Sequence, residues 1–243
     1  MAYAYLISSG IISSGIQLFN NVMHIYCGGS ATTTTVNRYG SMTISSGGNV
    51  TSTMVNSDGR MRVYGNATST TVNSRGSMTV FSGGNATSTT VNSDGKMELD
   101  GGSATVTTVN SGGYMLIYNG SATATTVNSG GSMMIYGGGS VTATTVKAGG
   151  AINGFMVSED QYCDSGLHVS NVYVNGWAYL SKGQAATSTT VNSGGSMWVS
   201  SGGSATATTV DSGGTINGFS FSEDRYFGSG LHVSHAYVNN QAY

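Results

Sequence analysis

The stretch Ser-Ala-Thr-Ala-Thr-Thr-Val-Asn-Ser-Gly-Gly-Ser-Met, residues 121–133, decides the fold, because close copies of it recur along the chain. In each copy an Ala or Val lies five residues before the central Val, and a Met or Ile lies six residues after it. The central Val positions are Val36, Val55, Val72, Val91, Val109, Val127, Val146, Val191 and Val210. All variation in length falls between the Met position and the next Ala position. The pattern therefore indicates short strands of fixed length joined by variable turns.

Alternation around the Met position predicts a strand with one inward face. Met133 and Ile135 are apolar, whereas the residue between such positions varies freely, as in Thr43 and Glu98. The Asn-Ser-x-Gly sequence after most of these Val residues, such as 56–59 and 110–113, is a turn signal, since Asn bonds its own turn and Gly accepts a positive φ. The chain is therefore predicted to be all-β: a parallel β-helix, or β-solenoid, of about twelve coils. Residues 1–243 form one unit with 17–19 residues per coil.

Two coils are predicted to be longer, with loop-bearing inserts at 153–166 and 217–230. We assign Leu167, Val172 and Ala178 to the Ala, Val and Met positions of the first long coil. The second long coil takes Leu231, Ala236 and Ala242 in the same order, and Ala4 is assigned to the Met position of the first coil. Both ends then lie at one phase of the coil, as expected of a segment cut from a longer array.

Composition argues against several classes of function. Only 7% of the 243 residues are Asp, Glu, Lys or Arg, and the net charge is −2 with no basic block, so we expect no nucleic-acid partner. No run of 18 apolar residues occurs, so no membrane-spanning helix is expected. Catalysis needs clustered ionisable groups. We therefore expect a protein that is not an enzyme, with no cofactor, no metal and no catalytic residues.

The copy Ser201-Gly202-Gly203-Ser204-Ala205-Thr206-Ala207-Thr208-Thr209-Val210-Asp211-Ser212-Gly213-Gly214 resembles the repeats of AIDA-type self-associating autotransporter adhesins. The resemblance covers roughly 28–150 and 183–216. It implies an extracellular passenger region of a bacterial outer-membrane protein, shaped as a right-handed β-helix, that mediates adhesion and self-association at the cell surface. It also implies O-glycosylation on Ser or Thr. The implied partners are a second copy, a glycosyltransferase and a host-cell surface.

Two sets of hydroxyl residues follow from the repeat. The Ser after each turn Asn or Asp is a turn residue, and the resemblance implies that it is also a glycan acceptor: Ser57, Ser74, Ser93, Ser111, Ser129, Ser193 and Ser212. The Thr-x-Thr pairs form a ladder: Thr32/Thr34, Thr51/Thr53, Thr68/Thr70, Thr87/Thr89, Thr105/Thr107, Thr123/Thr125, Thr142/Thr144, Thr187/Thr189 and Thr206/Thr208. Unbroken alternation places Thr123, Thr125 and Val127 on one face, so an outward ladder requires a kink before each Val.

Three interpretations of the Thr ladder stay open: β-propensity alone, a hydroxyl array that pairs with another copy, and a flat ice-binding face. An apolar patch is also predicted from Leu116, Tyr118, Met134 and Tyr136, which fall on outward positions of adjacent coils. This patch is compatible with two interpretations: a surface that contacts another molecule, or a patch that a loop or the twist of the solenoid covers. The candidate association face is Thr105, Thr107, Thr123, Thr125, Thr142, Thr144, Leu116, Tyr118, Met134 and Tyr136.

The inserts repeat one another, with Glu159, Asp160 and His168 in the first and Glu223, Asp224 and His232 in the second. Acidic residues with His invite a metal site or a polysaccharide-acting β-helix enzyme. Neighbouring Glu and Asp point to opposite sides of an extended chain, which favours a projecting loop. Cys27 and Cys163 lie seven coils apart, too far for a disulfide, and we interpret both as free thiols.

Overall fold

The computed structural model describes residues 3–136, 139–146 and 150–152, and shorter stretches between 168 and 238. The short stretches are 168–170, 173–174, 177–180, 185–187, 189–191, 193–199, 203–210, 214–216, 225–227, 231–234 and 237–238. Every regular element in these ranges is a β-strand, and nearly all neighbouring strands pair in parallel. The predicted all-β parallel solenoid is therefore confirmed.

The residues around the Met position form one nine-stranded parallel sheet, here named the Met sheet. Its strands are Ala4–Ile7, Val22–Ile25, Ser41–Ile44, Arg60–Val63, Ser77–Phe81, Lys96–Asp100, Tyr114–Tyr118, Ser132–Tyr136 and Ala151–Ile152. Equivalent repeat positions lie side by side in it, as Met61 does with Met78 and Met97 with Met115. Each coil therefore contributes one strand, and the sheet runs along the solenoid.

The Ala-to-Val segments form the second sheet, of fourteen strands, here named the Thr sheet. Its strands are Ile12–Ser14, Gln17–Leu18, Ser30–Thr32, Thr35–Val36, Asn49–Thr51, Met54–Val55, Asn66–Thr68, Thr71–Val72, Asn85–Val91, Ser103–Val109, Ser121–Thr123, Thr126–Val127, Ser140–Thr142 and Thr145–Val146. Most coils supply two short strands to it. The break between the two strands is a bend in each coil.

A left-handed residue makes this bend. Ala124 has a φ of 55°, and equivalent residues such as Ser69 and Val106 have φ values of 56°. The backbone N–H of Ser69 donates to the carbonyl of Thr87 in the next coil, so the bend stays hydrogen-bonded along the stack. The kink that an outward ladder requires is present, and it lies between the two Thr of every pair whose middle residue the structure describes.

The core is built from inward rows of identical positions. Ala122, Val127, Met133 and Ile135 are each at most 1% exposed, and the equivalent residues of other coils are buried with them. Because each coil repeats the same inward residues, every coil buries its apolar side chains mainly against its neighbours. The Met side chain is unbranched and fills the interior between the sheets.

Asn side chains at the turns that follow Val36 to Val127 form a hydrogen-bonded row. Asn92 Nδ2 donates to Asn73 Oδ1 at 2.9 Å, and Asn110 Nδ2 donates to Asn92 Oδ1 at 2.8 Å. The row extends from Asn37 to Asn128. Each interior amide therefore donates once and accepts once, which stabilises the turn at the edge of the Thr sheet.

A second stack of coils follows Ile152. Its three sheets contain the strands His168–Ser170, Ala185–Thr187, Ser204–Thr206, Leu231–Ser234 and Arg225–Phe227; Tyr173–Val174, Thr190–Val191, Thr209–Val210 and Tyr237–Val238; and Trp177–Leu180, Ser196–Val199 and Thr215–Ile216. Arg225–Phe227 pairs antiparallel with Leu231–Ser234. The expected number of about twelve coils is an approximation. Nine coils share the continuous Met sheet, and three further Met-position strands form the separate sheet that begins with Trp177–Leu180.

The positions assigned in the long coils are wrong by two residues. Val169, not Leu167, lies beside Ala186, and Val174, not Val172, lies beside Val191, while Ala178 does occupy the Met position beside Met197. In the second long coil Val233 and Val238 replace Leu231 and Ala236. In the first long coil, Val169 and Val174 thus keep the usual offset of five residues between the Ala and Val positions. The turn that follows is shorter, because Ala178 lies four residues after Val174 instead of the usual six.

The first coil is also shifted from its expected register. Tyr5, not Ala4, lies beside Met23, and Leu18 lies beside Val36. Ile7 and Leu18 are buried there, so the larger apolar side chains take the inward positions. Burial of apolar area decides this register, since a slip of one residue turns each side chain to the opposite face.

Candidate association and glycosylation surfaces

The Thr ladder is divided between the surface and the interior. Thr105 and Thr123 are exposed, whereas Thr107 and Thr125 are 1% and 0% exposed. Thr144 is also buried, at 8%. An association face that includes Thr107, Thr125 and Thr144 is therefore wrong for these three residues. The left-handed residue before each of them turns its side chain into the core.

The buried Thr hydroxyls have no hydrogen-bond partner among the described residues. The row consists of Thr34, Thr53, Thr70, Thr89, Thr107, Thr125, Thr144, Thr189 and Thr208. A flat ice-binding face needs both Thr of a pair on the surface. Only one of the two is outward in coils such as 104–109 and 122–127, and this observation argues against the ice-binding alternative.

The predicted apolar patch is present on the outer face of the Met sheet. Leu116 lies beside Met134 and Tyr118 beside Tyr136, in register on adjacent strands. The two Tyr rings stack with centroids 4.5 Å apart and planes 7° from parallel, and Tyr136 Oη donates to Met134 Sδ at 3.1 Å. All four side chains are partly exposed. They therefore form one ordered surface that a second molecule can contact.

The patch affects the ionisation of Tyr118. Partial burial is the largest cause that raises the pKa of Tyr118 above its usual 10.0, and the neighbouring Tyr136 raises it further. The phenol is therefore a neutral hydrogen-bonding group at physiological pH. The patch is apolar and uncharged at its centre.

Charged groups lie beside this patch on the outer face. Lys96 Nζ and Glu98 Oε2 form an ion pair at 2.7 Å on the strand next to Tyr114–Tyr118. The hydrogen bond to Glu98 is the largest cause that raises the pKa of Lys96. At the turns, Asp58 contacts Arg75 at 2.8 Å and Arg38 at 3.7 Å. Because each of these ion pairs joins a positive and a negative side chain, the pairs contribute little net charge to the surface around the patch.

The predicted glycan acceptors lie at the turns of the stack. Ser74, Ser93, Ser111, Ser129 and Ser193 are exposed and Ser57 is partly exposed, whereas Ser212 lies outside the described residues. A Cβ at Gly112 would lie 2.7 Å from Ser93 Oγ, and one at Gly130 would lie 2.5 Å from Ser111 Oγ. Because Gly112 and Gly130 have no Cβ, the hydroxyls of Ser93 and Ser111 in the preceding coils can occupy that space.

Several other predictions concern residues that the structure does not describe or describes in part. Glu159, Asp160, Cys163, Glu223 and Asp224 lie outside the described residues. Cys27 is an exposed free thiol. The described part of the chain contains no group of three His, Cys, Asp or Glu side chains placed to hold a metal ion. Among those same residues, no helix is long and apolar enough to cross a membrane.

One surface feature was not predicted from the sequence. Tyr64 and Phe81 stack with centroids 4.5 Å apart and planes 6° from parallel, on the same edge of the Met sheet as Tyr118 and Tyr136. The four aromatic residues each lie three positions after a Met of the repeat, at Met61, Met78, Met115 and Met133. That spacing was available in the sequence, although only the register shows which rings meet.

Comparison with known proteins finds one family model that matches part of the chain. Residues 176–214 match the model of the AIDA family, described as an adhesin of the bacterial autotransporter system and a probable stalk. The resemblance to AIDA-type repeats is thereby confirmed. The chain is also similar, with 26% identity and a TM-score of 0.47, to a crystal structure of a TibC-catalysed hyper-glycosylated TibA fragment. That likeness covers 97% of this chain and 94% of the other. No curated protein matches the chain.

Proposed function

We propose that this chain is a segment of the surface-exposed passenger of a bacterial adhesin, and that copies of it associate side to side. The match to an adhesin stalk family and the parallel solenoid support the general assignment. The association face comprises Leu116, Tyr118, Met134 and Tyr136, with Thr105 and Thr123 of the Thr sheet as polar contacts. The role is structural and adhesive, without catalysis.

The apolar patch is the observation that carries this proposal. At the positions equivalent to Leu116 and Met134, the coils from Val22 to Asp100 hold polar or charged residues, such as Thr43, Arg62 and Glu98. Partly exposed apolar side chains on adjacent strands favour contact with another surface. The backbone of Leu116 and Tyr118 is paired on both sides, and that of Met134 and Tyr136 is paired with them, so little conformational entropy is lost when a partner binds.

Low charge supports association between identical copies. The chain has 8 Lys and Arg against 10 Asp and Glu, a net charge of −2. Two copies therefore repel one another only weakly at physiological ionic strength. The outward Thr of the Thr sheet recurs in register, as Thr87, Thr105 and Thr123 do, so two copies can form several equivalent polar contacts at once, which increases the overall affinity.

Glycosylation of the turn Ser residues is the second part of the proposal. Ser93 and Ser111 are our first candidate acceptors: both are exposed, and Gly112 and Gly130 have no Cβ to collide with their hydroxyls. Ser74 lies 3.5 Å from Asp94 Oδ2, and this acidic neighbour makes it a weaker candidate. A sugar at these turns lies outside the Met sheet, so it leaves the apolar patch free to bind.

Static light scattering over a concentration series tests the association face. Tyr136→Asp places a charge in the patch and should keep the protein monomeric at concentrations where the wild type associates. Tyr39→Asp is the matched control, since Tyr39 is 62% exposed at a turn and already has a φ of 59°. Thr105→Lys with Thr123→Lys should weaken association to a smaller degree. Equal association of all variants would exclude this face.

Mass spectrometry of the protein from its native host tests glycosylation. We expect mass increments of the size of a hexose or heptose that disappear in part when Ser93 and Ser111 are replaced by Ala. Replacement of Ser13, which lies in the Thr sheet and not at a turn, is the control. An unmodified mass would exclude this part of the proposal and leave the association face unaffected.

A further inference from the structure

The aromatic row on the Met sheet has a gap of one residue. Phe81, Asp100 and Tyr118 lie at equivalent positions of three consecutive strands, in register. Phe81 stacks on Tyr64 in the coil before it, and Tyr118 stacks on Tyr136 in the coil after it. The free faces of Phe81 and Tyr118 are therefore directed toward the coil of Asp100.

The width of this gap suits one planar group. The ring centroids within each stack are 4.5 Å apart. Two strand spacings separate Phe81 from Tyr118, roughly 9.6 Å at the usual spacing of about 4.8 Å per strand. A planar group midway would then lie about 4.8 Å from each ring, within the roughly 6 Å range of cation–π contacts. It would replace the ring that the repeat lacks at position 100.

The floor of the gap carries an unpaired negative charge. Asp100 is exposed and outward, and within the described residues its carboxylate forms no ion pair or hydrogen bond. Glu98, two residues earlier on the same face, is paired with Lys96 at 2.7 Å. The carboxylate of Asp100 is therefore free to accept hydrogen bonds from a cation between the rings.

We propose that Phe81, Asp100 and Tyr118 form a binding site for a guanidinium group, presented by an arginine side chain of a protein partner. A guanidinium is planar, stacks on aromatic faces and donates two parallel hydrogen bonds to a carboxylate. The ammonium group of Lys is compact and strongly hydrated, so it gains less from two parallel rings. An uncharged ring would leave Asp100 without a partner. The site shares Tyr118 with the proposed association face, and binding of a short peptide tests it whether or not copies of the chain associate.

Proton NMR with short peptides tests the site on the intact chain. The probe is N-acetyl-Gly-Arg-Gly-amide, titrated up to about 20 mM because a single side-chain contact gives millimolar affinity. We expect saturable upfield shifts of the Arg side-chain methylene protons, which the flanking rings cause. The same peptide with Lys in place of Arg should bind at least several-fold more weakly.

Two variants and one control separate binding from folding. Asp100→Asn should weaken binding about tenfold or more, since it removes the charge and leaves the rings. Phe81→Leu should weaken binding while Asp100 is retained. Asp94→Asn is the matched control: Asp94 lies in the same coil, at an exposed turn, so the same change of charge should leave binding unaltered. Circular dichroism of each variant shows that the solenoid is intact.

The outcomes are distinct. Absence of saturable shifts with the wild type, or equal losses for Asp100→Asn and Asp94→Asn, would overturn the site. Equal binding of the Arg and Lys peptides would overturn the selectivity for guanidinium. A second copy is tested as the source of the arginine by Arg62→Gln, because Arg62 is exposed on the same face. Arg62→Gln that abolishes association but not peptide binding identifies Arg62 of a second copy as the partner, whereas unchanged association excludes Arg62 as the source of the guanidinium.

Discussion

Thr123 and Thr125 are separated by a single residue, yet Thr123 is exposed and Thr125 is fully buried. Ala124, with a φ of 55°, causes this difference because a left-handed residue interrupts the alternation of the strand. The carboxyl-side Thr of each pair thus packs with Val127 and its equivalents. The surface of the Thr sheet presents half of the hydroxyls that strict alternation would place there.

Thr125→Val should increase the free energy of unfolding by about 1 kcal/mol, because the buried Oγ1 has no partner and Val has nearly the same shape. Thr123→Val at the exposed position should change stability by no more than about 0.5 kcal/mol. Urea denaturation followed by circular dichroism measures both. A loss of stability in Thr125→Val would show that the hydroxyl has a partner, such as an ordered water molecule.

Val106→Gly should also stabilise the protein, by about 1 kcal/mol or more. Val106 is β-branched, has a φ of 56° and is 51% exposed, so it bears backbone strain and contributes little packing. Val106→Ala is the control, since it removes the branch but keeps the Cβ, and it should recover only part of the gain. Equal stability of Val106→Gly and the wild type would show that the backbone tolerates this conformation without cost.

Met115→Ala should lower the free energy of unfolding by about 2–5 kcal/mol, as a buried large-to-small change. Leu116→Ala on the adjacent, partly exposed position should cost much less. Both variants are compared in the same denaturant titration. Similar costs at the two positions would contradict the inward and outward assignment of the Met sheet.

Stability should fall as the pH rises above about 10. The pKa values of Lys96 and Tyr118 are raised from their usual 10.5 and 10.0, so the folded state binds these protons more tightly than the unfolded chain. Their contribution is complete below the unfolded pKa values and is lost as the pH rises through the folded ones. The effect is small, because both groups are partly exposed to solvent.

The alkaline prediction is checked by urea midpoints between neutral pH and about pH 11. Lys96→Gln combined with Tyr118→Phe should flatten the pH dependence relative to the wild type. Other Tyr and Lys residues titrate in the same range, so only the difference between the two proteins is informative. An identical slope for both would exclude these two groups as its cause.

The regular coils could be predicted closely from the sequence. The positions of Ala122, Val127 and Met133 indicated inward residues, and each is buried. The outward patch of Leu116, Tyr118, Met134 and Tyr136 was also predicted, because in-register stacking places equal repeat positions together. The irregular coils were misaligned, since placing Val172 six residues before Ala178 assumes the usual turn, whereas Val174 at the Val position lies only four residues before it.

The sequence by itself determined the solenoid, its period and the rows of identical residues, because a repeated pattern of apolar side chains can be buried together only by stacking. The tertiary structure decided which hydroxyls face outward and which rings meet. A single left-handed residue such as Ala124 reverses the face of Thr125, and no local propensity marks Ala as left-handed. That conformation is held by hydrogen bonds between coils, such as that from Ser69 to Thr87, which exist only once the coils are stacked.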